Sequence, residues 1–203
     1  MSVLTPIHLP DVGIPPVPVR RFSVDEYLGL VKTGFFAADD RNELLEGWIV
    51  PKMTMNPPHA VAVALADAAF GILLPINWHL RGQSTVTTTD SAPEPDLAVI
   101  RGAIRHYLGR HPGPRDTALA LEVADSSLAD DRKLKGRIYA RAGIPFFWIV
   151  NLVDRQVEVY SDSSGPSAEP TYRKRRDYRS GEMIPLILDG AEVGQVAVDD
   201  LLP

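Results

Sequence analysis

The chain has 203 residues, 45% of them apolar and 23% charged, an ordinary globular composition with enough length for one packed core. It has no cysteine, which excludes disulfides and thiolate metal sites and leaves oxygen or imidazole as the only ligands for a metal. A formal net charge of -5 excludes a uniformly basic nucleic-acid-binding coat, but not a local basic groove beside an acidic centre.

The opening MSVLTPIHLPDVG lacks a basic start and a continuous apolar stretch, and no later run approaches the ~20 apolar residues of a membrane span. The expectation is a soluble, cytoplasmic protein with no membrane contact. Residues 1–21 carry Pro6, Pro10, Pro15, Pro16 and Pro18 and read as an extended arm, with a single domain over residues 22–203. Ser23 and Glu26 have capping-box spacing, Tyr27, Leu28 and Val31 give a helical stripe, and Gly34 closes the helix. ELLEGWIVPKM predicts a hairpin turning at Glu46 and Gly47, and the prolines before an Ala-rich segment predict a buried helix over 59–73.

Short strands are expected near 84–88, 95–101 and 117–123, the last two apolar on consecutive residues, as in strands covered on both faces. DDRKLKGRIYARAG reads as a helix stopped by Gly143, and PFFWIVN and QVEVY as strands joined through LVDR. Strand, helix and strand in that order make a crossover. The tail adds strands near 184–188 and 192–198 after the basic run YRKRRDYR, and no internal repeat is visible.

Two of these strands carry carboxylates that need a reason. PEPDLAVI places Asp96 at the mouth of an apolar run, and LALEVA places Glu122 inside another. A buried carboxylate is costly unless it is paired, hydrogen-bonded or metal-bound. Mg²⁺ or Mn²⁺ takes oxygen ligands, commonly one or two carboxylates with water and phosphate completing the shell. Asp96 and Glu122 suit that need if their strands are neighbours, with the Val123 carbonyl as a further donor. Lys135 could orient the attacking water and offset phosphate charge. An acid at a strand end also serves as a solvated turn residue or an arginine partner, and Arg81 and Arg101 are available for that. Asp131, Lys135 and Tyr139, spaced four apart, share a helix face; an exposed Asp/Lys pair there is an ordinary helix contact. His59 either touches a site or simply occupies the first turn of its helix, and the second is the ordinary reading. Arg173, Lys174, Arg175 and Arg176 form either a solvated face or the surface that contacts phosphates.

NELLEG, the PPH before the long helix, EPDLAVI, ALEVADSS, and the D-x-x-x-K-x-x-x-Y-x-x-x-G series Asp131, Lys135, Tyr139, Gly143, followed by IPFFWIVN, together resemble the Uma-type restriction endonuclease family of the PD-(D/E)XK nuclease superfamily. The match runs from about Phe22 to Tyr160. The resemblance implies an α/β fold, a mixed sheet flanked by helices in a restriction-endonuclease-like core. Its acids carry over onto Glu43, Asp96 and Glu122, and its helix-borne lysine onto Lys135. It implies a Mg²⁺- or Mn²⁺-dependent endonuclease acting on DNA, and two cuts in a duplex would suit a homodimer. The sequence departs from the superfamily motif at Ala124, where a lysine is usual, and from the family at Asp125 and Asn151, where Ser and Asp are common. Two other readings stay open: a catalytically silent nucleic-acid- or protein-binding domain, and hydrolysis of another phosphate ester.

Overall fold

The structure is a computed structural model that describes residues 18–37, 40–52 and 55–203. The expected N-terminal arm thus lies almost wholly outside the described residues; its last four, Pro18 to Arg21, are exposed and irregular.

Helix α1 (Val24–Lys32) opens on the expected reciprocal cap: Ser23 Oγ accepts from the Glu26 N–H and Glu26 Oε2 from the Ser23 N–H. It ends where Gly34 takes a φ of 70° and lets the Gly34 and Phe35 N–H groups reach back to Val31 and Leu30 carbonyls. Only Tyr27 is fully buried, against Leu44 and Ala92, whereas Val31 faces solvent. Strands β1 (Asn42–Leu45) and β2 (Trp48–Pro51) form the hairpin, with positive φ at both Glu46 and Gly47 as a tight two-residue turn requires. Helix α2 (Pro57–Gly71) starts at its prolines, with Asn56 Oδ1 capping the His59 N–H. It buries a single stripe, Ala62, Ala66 and Phe70, rather than its whole surface. Alanine raises helix propensity without marking a face, so the apolar run overstated the burial.

The main sheet has six strands in the order β3-β4-β5-β6-β7-β8: β3 (Trp78–Gly82), β4 (Leu97–Arg101), β5 (Thr117–Ala124), β6 (Phe146–Asn151), β7 (Gln156–Ser163) and β8 (Tyr172–Arg179). Strands β5 and β6 pair in parallel through the crossover, and every other neighbouring pair is antiparallel. The crossover contains α3 (Leu128–Asp130), a π-helical turn over Asp131–Lys135 and α4 (Gly136–Ala142), closed by Gly143 at φ 78°. A separate antiparallel ribbon, β9 (Met183–Leu188) with β10 (Ala191–Ala197), packs with α2 on one face of the sheet. Helix α4 covers the other face, over Ala98, Ala120, Phe147 and Ile149.

The strand expected near 84–88 is not one. Its N–H groups go to the carbonyls of Pro93, Pro112 and Ser91, while the edge strand lies earlier, at β3. STVTTT has strong β-propensity, but the segment it folds back on carries Pro93 and Pro95, which have no N–H to give a ladder. The basic run YRKRRDYR, conversely, is itself the edge strand β8.

Candidate active site

Strands β4 and β5 deliver their two carboxylates side by side. Asp96 ends the proline-led entry to β4, where its backbone N–H lies 3.4 Å from Glu122 Oε2 and its Oδ2 accepts from the Val123 N–H at 2.9 Å. Glu43 enters from β1 and Lys135 from the π-helical turn: Lys135 Nζ lies 2.5 Å from Glu43 Oε2 and 3.5 Å from Glu122 Oε1. All four side chains are buried. Glu43 is held in turn by the Glu94 N–H at 3.0 Å, and Glu122 by the Tyr139 hydroxyl at 2.7 Å. The Asp131, Lys135, Tyr139 series thus shares one buried face. The Gly136 N–H reaches back five residues to the Asp131 carbonyl, a π-turn of the kind found at functional positions in helices.

These groups line a cleft of about 170 Å³. Six carboxylates wall it, Glu43, Asp96, Glu122, Asp125, Asp130 and Asp131, against Lys52, Lys135 and His59. Excess negative charge in a buried space shows in the protonation of its acids. Burial, reinforced by Asp96 and Asp131, pushes the Glu122 carboxyl up to about 8 against the pull of Lys135. Burial likewise raises Asp131 to about 6, opposed by the Ser127 hydroxyl 2.6 Å away and by Lys135. Burial would also raise Asp96, but the His59 hydrogen bond and charge, the Val123 N–H and Lys52 outweigh it and hold it below its ordinary value. Burial disfavours charged Lys135, yet Glu122 and Glu43 carry its value above that of a free lysine.

Among the described residues no three Asp, Glu or His side chains converge as a ready-made metal cage. The donor chemistry nonetheless suits a hard divalent cation: Asp96 and Glu122 are adjacent oxygen donors in an under-neutralised cleft, and Mg²⁺ needs only one or two protein carboxylates when water and phosphate complete its shell. Val123 also lines the cleft.

Residues 24–193 match the Uma2 family, described as "Putative restriction endonuclease". The chain belongs to the Uma2 family. No curated protein matches it. Among solved structures, a crystal structure of "a putative nuclease belonging to DUF820 from Anabaena variabilis ATCC 29413" superposes with a TM-score of 0.62 at 14% identity, over 89% of this chain and 97% of that one. At that identity the likeness is one of fold: the mixed sheet flanked by helices is shared.

The arginines that could have claimed the carboxylates do not. Arg101 pairs with Asp189, and Arg81 meets no carboxylate among the described residues. Two other groups take that place: His59, whose ordinary reading is a first-turn residue, and Lys52, which sequence reasoning passed over. His59 Nε2 lies 3.0 Å from Asp96 Oδ2, and Lys52 Nζ 3.9 Å from Asp96 Oδ1. Burial lowers the basicity of His59, but its bond to Asp96 and the charges of Asp96 and Glu122 win and raise it. The available signal was the PPH triplet: prolines at the first two helical positions fix where the third side chain leaves the helix.

The basic run lies elsewhere. None of Arg173, Lys174, Arg175 and Arg176 lines the cleft. Alternation along β8 sends Arg173 and Arg175 to one face and Lys174 and Arg176 to the other. Arg173 meets Asp162 at 3.0 Å, Arg175 meets Asp177 at 2.6 Å and Glu158 at 3.3 Å, and Arg176 meets Glu182 at 3.7 Å.

Proposed function

We propose that this Uma2 member is a metal-dependent endonuclease that hydrolyses phosphodiester bonds, with DNA in the cytoplasm as its substrate. One observation carries the reading: Glu43, Asp96, Glu122 and Lys135 converge from three strand regions and a helix on one under-neutralised cleft. Asp96 and Glu122, with the Val123 carbonyl, would hold Mg²⁺ or Mn²⁺. Such an ion, when bound, supplies Lewis-acid polarisation of a phosphate oxygen and acidifies water.

The protein's own side chains do the rest. Lys135 brings positive charge to the attacking water and to the phosphate oxygens as charge builds on them, and Glu43 fixes its ammonium. Tyr139 fixes Glu122, and His59 with the Val123 N–H fixes Asp96, so both carboxylates are oriented before substrate arrives. Lys135 thereby fills the role left empty at Ala124. For the β8 run to contact phosphate, Arg173, Arg175 and Arg176 would each have to exchange a carboxylate for it, which leaves Lys174 as the run's one cation that meets no carboxylate among the described residues. A homodimer would bring two sites to one substrate molecule. Its candidate seat is the surface of Ile72, Ile76 and Ile104, each more than two-thirds exposed, at the end of the sheet away from Asp96.

The test pairs calorimetric titration with Mn²⁺ and cleavage of plasmid DNA. Wild type should bind the ion and cleave, Asp96→Asn should lose the ion, and Glu122→Gln should lose cleavage. Equal Mn²⁺ binding by wild type and Asp96→Asn would refute the site. Ion binding without cleavage of DNA, RNA or nucleotide esters would favour a silent binding domain, a reading that the acidic rim of Asp125 and Asp130 supports.

A further inference from the structure

A polynucleotide reaching the cleft needs cations along its path that are not already neutralised, since phosphate contacts supply most non-specific affinity. On β8 the three arginines Arg173, Arg175 and Arg176 are committed to carboxylates, and Arg110 is held by both oxygens of Asp116. Arg81 is different. It sits half-buried on the edge strand β3 and meets no carboxylate among the described residues. Its Cα partner across the ladder is Ala98, two residues along β4 from Asp96. Directly paired residues project to the same face and alternation preserves that face every second residue, so Arg81 and Asp96 share one side of the sheet.

On that side Arg81 opens into a groove of about 920 Å³ between α1 and the 3₁₀ turn Ile104–Tyr107. Lys32, Thr89, Tyr107 and His111 also line it, and so does one acid, Asp25. The guanidinium lies 5.8 Å from the centroid of the Tyr107 ring, a contact that orients the group without consuming its N–H donors. The groove adjoins a recess whose wall is hydrogen-bonded to a residue of the cleft. His111 is shared with a recess of about 420 Å³ that is also lined by Glu94, whose N–H donates to Glu43.

We propose that this groove binds the phosphodiester backbone on one side of the scissile bond, with Arg81 as its principal phosphate contact. The inference rests on the nuclease reading above, and assigns the substrate's path to the β3 edge rather than to β8. A half-buried cation is less screened than a surface one, so a single contact here counts for more than a lysine on an open face.

The experiment is fluorescence anisotropy of a labelled 30-base-pair DNA duplex, and separately of its single strand, with the full chain in EDTA over a series of KCl concentrations. Arg81→Gln should weaken binding about tenfold and lower the log–log salt slope by about one. Arg81→Lys, which keeps the charge, should retain the slope and guards against a fold defect in the neutral variant. Unchanged affinity and slope in Arg81→Gln would overturn the inference. If, in addition, Arg175→Ala with Arg176→Ala flattens the slope, the nuclease reading stands and the path runs over β8 instead. If wild type binds neither probe even at 50 mM KCl, the polynucleotide reading falls, and this inference with it.

Discussion

Replacing Glu158 with Gln probes the brace behind the candidate active site. Glu158 is fully buried on β7, yet it accepts from Arg132 Nε at 3.0 Å and from the Arg132 Nη2 group, from Asn151 Nδ2 at 2.8 Å and from the Tyr160 hydroxyl at 2.7 Å. Burial alone would raise its carboxyl; the bonds from Arg132, Tyr160 and Asn151 outweigh burial and hold it at about 2 against an ordinary 4.5. That gap corresponds to about 3 kcal/mol of folding stability at neutral pH. The folded-state value is depressed, so the contribution is complete above about pH 4.5 and is lost as pH falls towards 2. Glutamine keeps one acceptor oxygen but no charge, and the partly exposed Arg132 can turn to water, so the loss should not exceed that figure. Urea denaturation followed by tryptophan fluorescence should show wild type about 3 kcal/mol more stable at pH 7, with the difference less than half as large at pH 3. A difference as large at pH 3 as at pH 7 would mean that Glu158 is not an ionised partner of Arg132. Because Arg132 lies in the same π-helical turn as Lys135, the variant should also slow cleavage.

Lys135→Ala should reduce cleavage by ~10²-fold or more while leaving Mn²⁺ affinity intact, whereas exposed Lys133→Ala should cleave like wild type; equal activity of the two variants in a steady-state assay would sink the role given to Lys135. Gly47→Ala should destabilise the β1–β2 hairpin by about 1–2 kcal/mol, because Gly47 has a φ of 80° and a Cβ there would stand 2.5 Å from Arg21 Cβ; an unchanged melting temperature would show that the turn is not held in this form. Ile76→Asp should shift a homodimer to monomer in sedimentation equilibrium, and a dimer that survives it must use another surface.

Where the governing interactions are local, the sequence was legible. Ser23 with Glu26, the Glu46–Gly47 turn, the Gly143 stop and the two strands with continuous apolar runs all depend on neighbours within a few residues. The spacing of Asp131, Lys135 and Tyr139 told which side chains share a face, though not that the helix relaxes into a π-turn to bury them. Long-range pairing was not legible. WHLRG has neither a clean alternation nor a continuous apolar run, and it becomes a strand because Arg81 and Leu80 find Ala98 and Val99 beside them. YRKRRDYR reads as solvated charge, and it becomes the edge strand because its backbone pairs with β7 while only Tyr172 and Tyr178 need burial. Lys52 and His59 meet Asp96 from other elements, across contacts that no local pattern encodes.

Two buried acids on one face of the sheet set the candidate site apart from a structural ion pair. Glu158 on β7 and Glu122 on β5 are both inaccessible and both sit in strands, so burial does not distinguish them. Their partners do. Glu158 has a guanidinium that forks onto both of its oxygens, a second guanidinium, a hydroxyl and an amide, and its carboxyl is driven down to about 2. Its lone pairs are spent within the protein, and a cation has nothing to gain by approaching it. Glu122 has one hydroxyl, the Asp96 N–H at 3.4 Å and a lysine 3.5 Å away that is shared with Glu43, and it stands beside the Asp96 carboxylate and close to Asp131; its carboxyl is driven up to about 8. Retaining so under-compensated a group in a buried strand is unfavourable for the fold taken alone. The imbalance has a physical rationale if a positive ligand completes the site, and that same deficit is what an Asp96 or Glu122 amide variant would remove.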